Sequence, residues 1–289
     1  NKNILNNGQK YEKSIYIKYE GKIYCNSFGD IYQLKDVDID SFKTFDTGDY
    51  RDNYIATDKN NVYLGNNIIP DLNPNRLKSL GSNYYSDGVN YYFLSDRYIQ
   101  NEDISTWSIV KEYIIHFKKK QLYFYPFKKI ETTKALKGIE DFRYLASDGE
   151  KVYYKGELIK DADLDTLKAV SKYNDDYFYD KNNIYYSGRK IIGADLPTFQ
   201  IGSDGFSKDK NNIYFGGKKI LGIDKDTVKI IELPYIKDKN NVYYGNKKIE
   251  GADKNTFELT YDFKSVVNNY YSKDKNNVYY ENKKLKGID

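Results

Sequence analysis

A chain of 289 residues with 46 Lys and Arg against 42 Asp and Glu has a formal charge of only +4. With cations and acids interspersed, that balance speaks against a nucleic-acid or membrane-surface patch, which needs basic residues gathered on one face. The single cysteine, Cys25, excludes an intrachain disulfide, and the single histidine, His116, excludes a multi-histidine metal site. Five arginines, Arg51, Arg76, Arg97, Arg143 and Arg189, argue against a pocket dedicated to bidentate anion recognition.

No apolar run approaches the about 18 residues of a membrane span. The chain begins at Asn1 and has no Met, which points to a missing leader or initiating segment. Lys, Asn, Ile and Tyr all have AT-rich codons. The 33 tyrosines therefore reflect base composition and β-propensity before any binding role.

In chain order, the first unit runs through Ser14 to Lys18 (SIYIK), a turn at Tyr19 to Lys22, IYC from Ile23, and IYQL from Ile31. Asp38 to Phe42 (DIDSF) gives the first D-x-x-[ST]-F element. The second unit turns at Asp58, with VYL from Val62 and Asn73-Pro74-Asn75 where later units have GAD. A third turn lies in SDGVNYYF from Ser86, followed by Asp103 to Trp107 (DISTW). Asp87 and Asp148 are 61 residues apart, about two periods, so a fourth turn is placed midway at Lys118 to Gln121.

From Asp148 the pattern is regular, with DKNN at Asp180, Asp209, Asp238 and Asp274 as at Asp58, spaced 29, 29 and 36 residues from Asp180 onward. Nine turns are counted in all. A period in the range of about 20–50 residues makes the repeat the unit of structure. The array divides into irregular units over 1–147 and DKNN-type units over 148–289.

Aromatic and β-branched residues on both sides of an Asp/Asn-rich segment predict a hairpin, in which Asp accepts from the amides ahead of it and Asn adopts the left-handed conformation. A second turn, Ser187-Gly188 or Gly245-Asn246, leads to a short strand such as Lys247 to Ile249. Asp195 to Thr198 and Asp253 to Thr256 have the spacing of a capped helical turn, with Pro74 and Pro197 in the tolerated first turn. The residue after Thr, as at Phe199 and Phe257, begins the next strand. Lysine pairs at Lys218, Lys247 and Lys283 suit an exposed edge strand protected against aggregation.

These units predict an all-β fold of tandem antiparallel hairpin units with one helical turn each. An open curved stack is favoured over a closed β-propeller, because units of about 29 residues are short for a four-stranded blade. The D-K-N-N-[VI]-Y-Y core with GAD and Thr-Phe following resembles the DKNYY family of tandem-repeat proteins, clearly from Asp148 and more loosely before it. That family has no assigned activity, and its members are often exported or surface-associated in bacteria. The resemblance therefore implies architecture and an extracellular or cell-surface location, and brings no catalytic residues. SKDKNN from Ser207 and Ser272 also resembles the Asp-box of sialidases, a structural hairpin whose sugar chemistry resides elsewhere.

Cys25 reads as a buried, inert thiol and His116 as a strand residue. Asp-Lys-Asn-Asn has oxygens at alternate positions, as calcium loops do, but lacks a distal Glu at fixed offset, so it reads as a turn. The sequence thus calls for no metal, cofactor, nucleic acid or catalytic residue, and leaves the oligomeric state open. The second aromatics Tyr154, Tyr186, Phe215, Tyr244 and Tyr280 form a ladder that serves either core packing or binding. Trp107, Tyr113, His116, Phe117, Tyr123 and Tyr125 keep aromatics where the repeat rule breaks, and are the candidate binding site. The expected function is a non-enzymatic binding or scaffold module recognising protein or glycan, with a carbohydrate-active hydrolase as the competing class.

Overall fold

A computed structural model describes residues 2–27, 30–45, 53–94, 127–140, 142–171, 174–203, 205–260 and 271–286. It is all-β, with eight four-stranded antiparallel sheets whose strands follow sequence order from one edge to the other. The sheets span 9–33, 43–69, 78–129, 137–159, 168–190, 200–219, 229–248 and 258–284, and are called sheets 1 to 8. None closes on itself, so each has a first and a fourth strand as open edges. The chain divides into two compact units, residues 1–160 and 161–289, and within each the sheets follow one another as an open stack.

The predicted hairpins form. Tyr235–Lys237 pairs with Val242–Tyr244 across the DKNN turn at Asp238, and Tyr271–Lys273 pairs with Val278–Tyr280 in the same register. Positive backbone angles fall at Ser187 and Gly188, and at Gly245, as the second turn requires. The Asn residues of the DKNN turns are not among the residues with positive φ. The left-handed residues fall instead just past the fourth strand, at Asp36, Asp161, Gly193, Gly222 and Gly251, where the chain swings out of the sheet.

The segment after that bend makes a single helical turn at Leu164–Thr166 and Leu196–Thr198, and one i to i+3 bond at Asp224–Thr227 and Asp253–Thr256. The following strand starts one residue beyond the aromatic, at Gln200 after Phe199 and at Glu258 after Phe257. Among the described residues one regular helix, Lys2–Asn7, precedes sheet 1, with no counterpart in the predicted elements.

Alternation along each strand gives both faces of a sheet an apolar layer. The buried core is accordingly divided into clusters between successive sheets. Tyr177, Ile184 and Ile191 of sheet 5 meet Tyr214 of sheet 6, Ile213 and Ile220 meet Ile236 and Tyr243, and Tyr235, Val242 and Ile249 meet Tyr279. In the first unit, Tyr16 packs with Ala56 and Tyr63, and Ile55, Val62 and Leu64 pack with Tyr85 and Tyr92. Each fully buried side chain of this size contributes about 1.5–3 kcal/mol, so these seams dominate the stability.

Eight sheets account for eight of the nine predicted turns, including Tyr19 to Lys22. The ninth, Lys118 to Gln121, lies outside the described residues. Sheet 3 shows where that part of the chain belongs. Its third strand, Tyr91–Leu94, pairs with Phe127–Lys129 as the fourth, so residues 95–126 connect two neighbouring strands of one sheet.

Candidate functional site

The repeated motif forms one hydrogen-bond centre per DKNN turn. In sheet 6, Asp209 Oδ1 accepts the amides of Asn211 and Asn212, both at 2.7 Å. Its Oδ2 accepts the Tyr214 hydroxyl at 2.7 Å and the Asp195 amide at 2.9 Å. The same four-way arrangement holds at Asp58, Asp180 and Asp238. At Asp274 the carboxylate binds Asn276, Tyr279 and Asp253.

Burial acts to raise the Asp209 carboxyl, but the Asp195 amide, Tyr214 and the two Asn amides outweigh it and hold the group at about 2. Burial, followed by the neighbouring Asp274, pushes the Tyr279 hydroxyl up to about 12. With its oxygens committed to N–H and O–H donors, such a carboxylate has none to spare for a cation or a substrate proton.

The Lys after each of these aspartates closes a second layer. Lys210 pairs with Asp195 at 2.8 Å, and its backbone amide donates to the Thr198 hydroxyl at 3.0 Å. Lys59, Lys181, Lys239 and Lys275 do the same with Asp38/Ser41, Asp163/Thr166, Asp224/Thr227 and Asp253/Thr256. The D-x-x-[ST] segment that leads into each of these sheets is thereby pinned to that sheet's own DKNN turn. Asp, Lys, Asn and Tyr of the motif all have architectural tasks.

The second-aromatic ladder is largely packing. Within each sheet Tyr186 meets its cross-strand partner Tyr177, Phe215 meets Phe206 and Tyr244 meets Tyr235, with tilted or edge-on rings 4.6–4.9 Å apart. Gly217 and Gly245, both at positive φ, approach Tyr186 and Phe215 so closely that a Cβ would lie 2.8 Å from the ring-bearing side chain. Only glycine at these turns lets the next sheet close over the ring.

Cys25 is fully buried, and burial pushes its thiol up to about 12. It is no nucleophile at neutral pH. A cavity of about 400 Å³ in the first unit is lined by Lys22, Ile23, Gln33, Leu34, Lys35, Asp36, Val37 and Ile39. With one acid and no arginine, it lacks the convergent carboxylates and arginine that the hydrolase class requires. Among the described residues there is no group of three or more His, Cys, Asp and Glu able to hold a metal, and no catalytic constellation.

Trp107, Tyr113, His116, Phe117, Tyr123 and Tyr125 all lie outside the described residues, between Leu94 and Phe127. The lysine pairs lie on exposed edge strands as the sequence predicts: on the fourth strands of sheets 5 to 8 every residue of the pairs Arg189–Lys190, Lys218–Lys219, Lys247–Lys248 and Lys283–Lys284 is exposed. Cations that alternate with acids along the chain thus recur on one edge of each of these sheets.

Serial open sheets, of which sheets 2 to 8 each carry a buried aspartate at the turn between their second and third strands (Asp58, Asp87, Asp148, Asp180, Asp209, Asp238 and Asp274), define an all-β tandem-repeat protein. The DKNYY family model matches residues 16–189, 177–234 and 235–289, and the chain belongs to the DKNYY family. No curated protein and no solved structure matches it.

Proposed function

We propose that the chain is a non-catalytic binding or scaffold module at a bacterial surface, recognising protein or glycan through the insertion at residues 95–126. One observation carries this reading. The third and fourth strands are joined by two residues in sheets 2, 4, 5, 6, 7 and 8, as at 65–66 and 245–246, whereas in sheet 3 they are joined by 95–126. Long connections within a compact repeat are where binding function concentrates.

This insertion contains the only tryptophan, Trp107, and the only histidine, His116, together with Tyr113, Phe117, Tyr123 and Tyr125. Amphipathic aromatics of this kind supply large contact area at low entropic cost to protein and sugar surfaces. The repeat array serves as the rigid support.

The test is binding to a cell-surface protein and glycan array by the intact chain and by Trp107→Ala/Tyr123→Ala. Loss of the captured ligand with an unchanged circular dichroism spectrum supports the reading. Unchanged capture by a folded variant removes the site.

A further inference from the structure

The second unit carries a charged edge that the insertion does not explain. Its four fourth-strand segments, 189–192, 218–221, 247–250 and 283–286, hold nine cations and one acid, Glu250. Lys248 pairs with Glu250. Among the described residues, Lys190, Lys218, Lys219, Lys247, Lys283 and Lys284 form no ion pair. Gly217 lies against Tyr186 and Gly245 against Phe215, so the turn before the cation pair of sheet 6 packs on sheet 5 and that of sheet 7 packs on sheet 6. The pairs of sheets 5, 6 and 7 therefore recur at roughly the 10 Å spacing of packed sheets.

Two aliphatic side chains project from the same segments. Ile192 and Leu221 occupy equivalent positions, just past the buried Ile191 and Ile220, and are 74% and 75% exposed. They are the most exposed large hydrophobic residues among those described.

Protection against edge-to-edge pairing accounts for single lysines on an edge. It does not account for this contrast. The fourth strands Asn67–Ile69 and Glu157–Ile159 of the first unit carry no cation at all, and the Lys128 and Lys129 of Phe127–Lys129 are ion-paired to Glu157 and Asp71. An edge needs no cation pair to remain unpaired in this fold. Nor does protection against aggregation call for Ile192 and Leu221 in the open.

We infer that the fourth-strand edge of residues 161–289 docks on an anionic lipid surface, with the cation pairs meeting acidic headgroups and Ile192 and Leu221 entering the interface. Cations alone fit any polyanion; cations flanked by projecting aliphatics fit a bilayer, which offers both a negative surface and an apolar layer beneath it.

The experiment is sedimentation of the full chain with vesicles of phosphatidylglycerol and phosphatidylcholine, and with phosphatidylcholine alone. The wild type co-sediments with the mixed vesicles only. Lys218→Gln/Lys219→Gln/Lys247→Gln weakens partitioning on the order of 100-fold, given the usual contribution of each near-surface cation. Ile192→Ser/Leu221→Ser weakens it about tenfold, and Lys168→Gln/Lys208→Gln/Lys229→Gln, which removes the same charge from first and second strands, leaves it unchanged. All of these positions are exposed, so the variants fold. Absence of binding to the mixed vesicles, equal weakening by the charge-matched control, or indifference to Ile192→Ser/Leu221→Ser with equal affinity for soluble heparin would each overturn the assignment.

Discussion

The Tyr214 hydroxyl donates to Asp209 Oδ2 at 2.7 Å, and that same oxygen accepts the amide of Asp195 from the segment leading into sheet 6. With Oδ1 holding the turn amides, a single carboxylate thus ties a core aromatic, a strand reversal and an incoming linker together.

Acid sensitivity follows. The hub carboxyls Asp58, Asp180, Asp209, Asp238 and Asp274 are all lowered in the folded chain, against the pull of burial, by their hydrogen-bond donors. A carboxyl whose folded value lies below its unfolded one, about 3.9 for Asp, contributes stability that is complete above that unfolded value. The contribution disappears as pH falls through the folded value, about 2 for Asp209. Urea midpoints are expected to hold steady from pH 7 to about 5 and to fall steeply below about 4. A flat profile down to pH 3 would contradict the hub assignment.

The tyrosines give the opposite limb. Tyr243 and Tyr279 are pushed up to about 12 by burial and by Asp238 and Asp274. Their stabilisation is present below the unfolded value of about 10 and is lost as pH rises through the folded one. The tyrosinate absorbance near 295 nm that Tyr243→Phe/Tyr279→Phe removes should therefore appear late and together with unfolding. Its appearance near pH 10 in the folded state is the contrary result.

Ion-paired lysines matter less than the aspartates they follow. Lys239 and Asp224 stand 2.7 Å apart but both are exposed enough to be screened. Lys239→Gln should barely move the thermal midpoint, whereas Asp238→Ala should move it by many degrees. Equal effects in differential scanning calorimetry would reverse the ranking of the two layers.

Close approach between sheets 3 and 4 is a further sensitive point. A Cβ at Gly138 would lie 2.7 Å from the Gly81 carbonyl carbon and 2.8 Å from the Leu80 oxygen, both backbone atoms that cannot swing aside. Gly138→Ala is expected to cost about 1–3 kcal/mol in urea denaturation, the usual range for overpacking. Wild-type stability would show that the seam is looser than described.

Replacing residues 95–126 by a two-residue Gly-Asn turn joins Leu94 to Phe127 as the equivalent strands are joined in sheet 7. Melting is expected to stay cooperative while ligand capture is lost. A chain that no longer folds would mean that the insertion supports sheet 3.

The hairpins, second turns and lysine edges were legible in the sequence because each is set by local chemistry: Asp ahead of free amides, glycine at positive φ, alternating apolar positions. The bonds of Asp209 to the Asp195 amide and of Tyr214 to the Gly193 carbonyl were not, since they join residues 14 or more apart through an arrangement that only packing reveals. Phe127–Lys129 was missed as a fourth strand because FKK has no alternation to read. Helix Lys2–Asn7 has no acidic residue in its first turn and buries none of its own side chains, so no periodic signal announces it. Residues 107–125 stand where the repeat rule fails, and the pairing of Tyr91–Leu94 with Phe127–Lys129 makes that stretch an insertion between two neighbouring strands.

Buried carboxylates hold the repeats in place, and a urea double-mutant cycle on Asp209→Asn and Tyr214→Phe tests this most directly. A loss of about 2–3 kcal/mol is expected for Asp209→Asn, a smaller loss for Tyr214→Phe, and a coupling of about 1 kcal/mol between them. Wild-type stability in Asp209→Asn, with additive effects in the double variant, would contradict it.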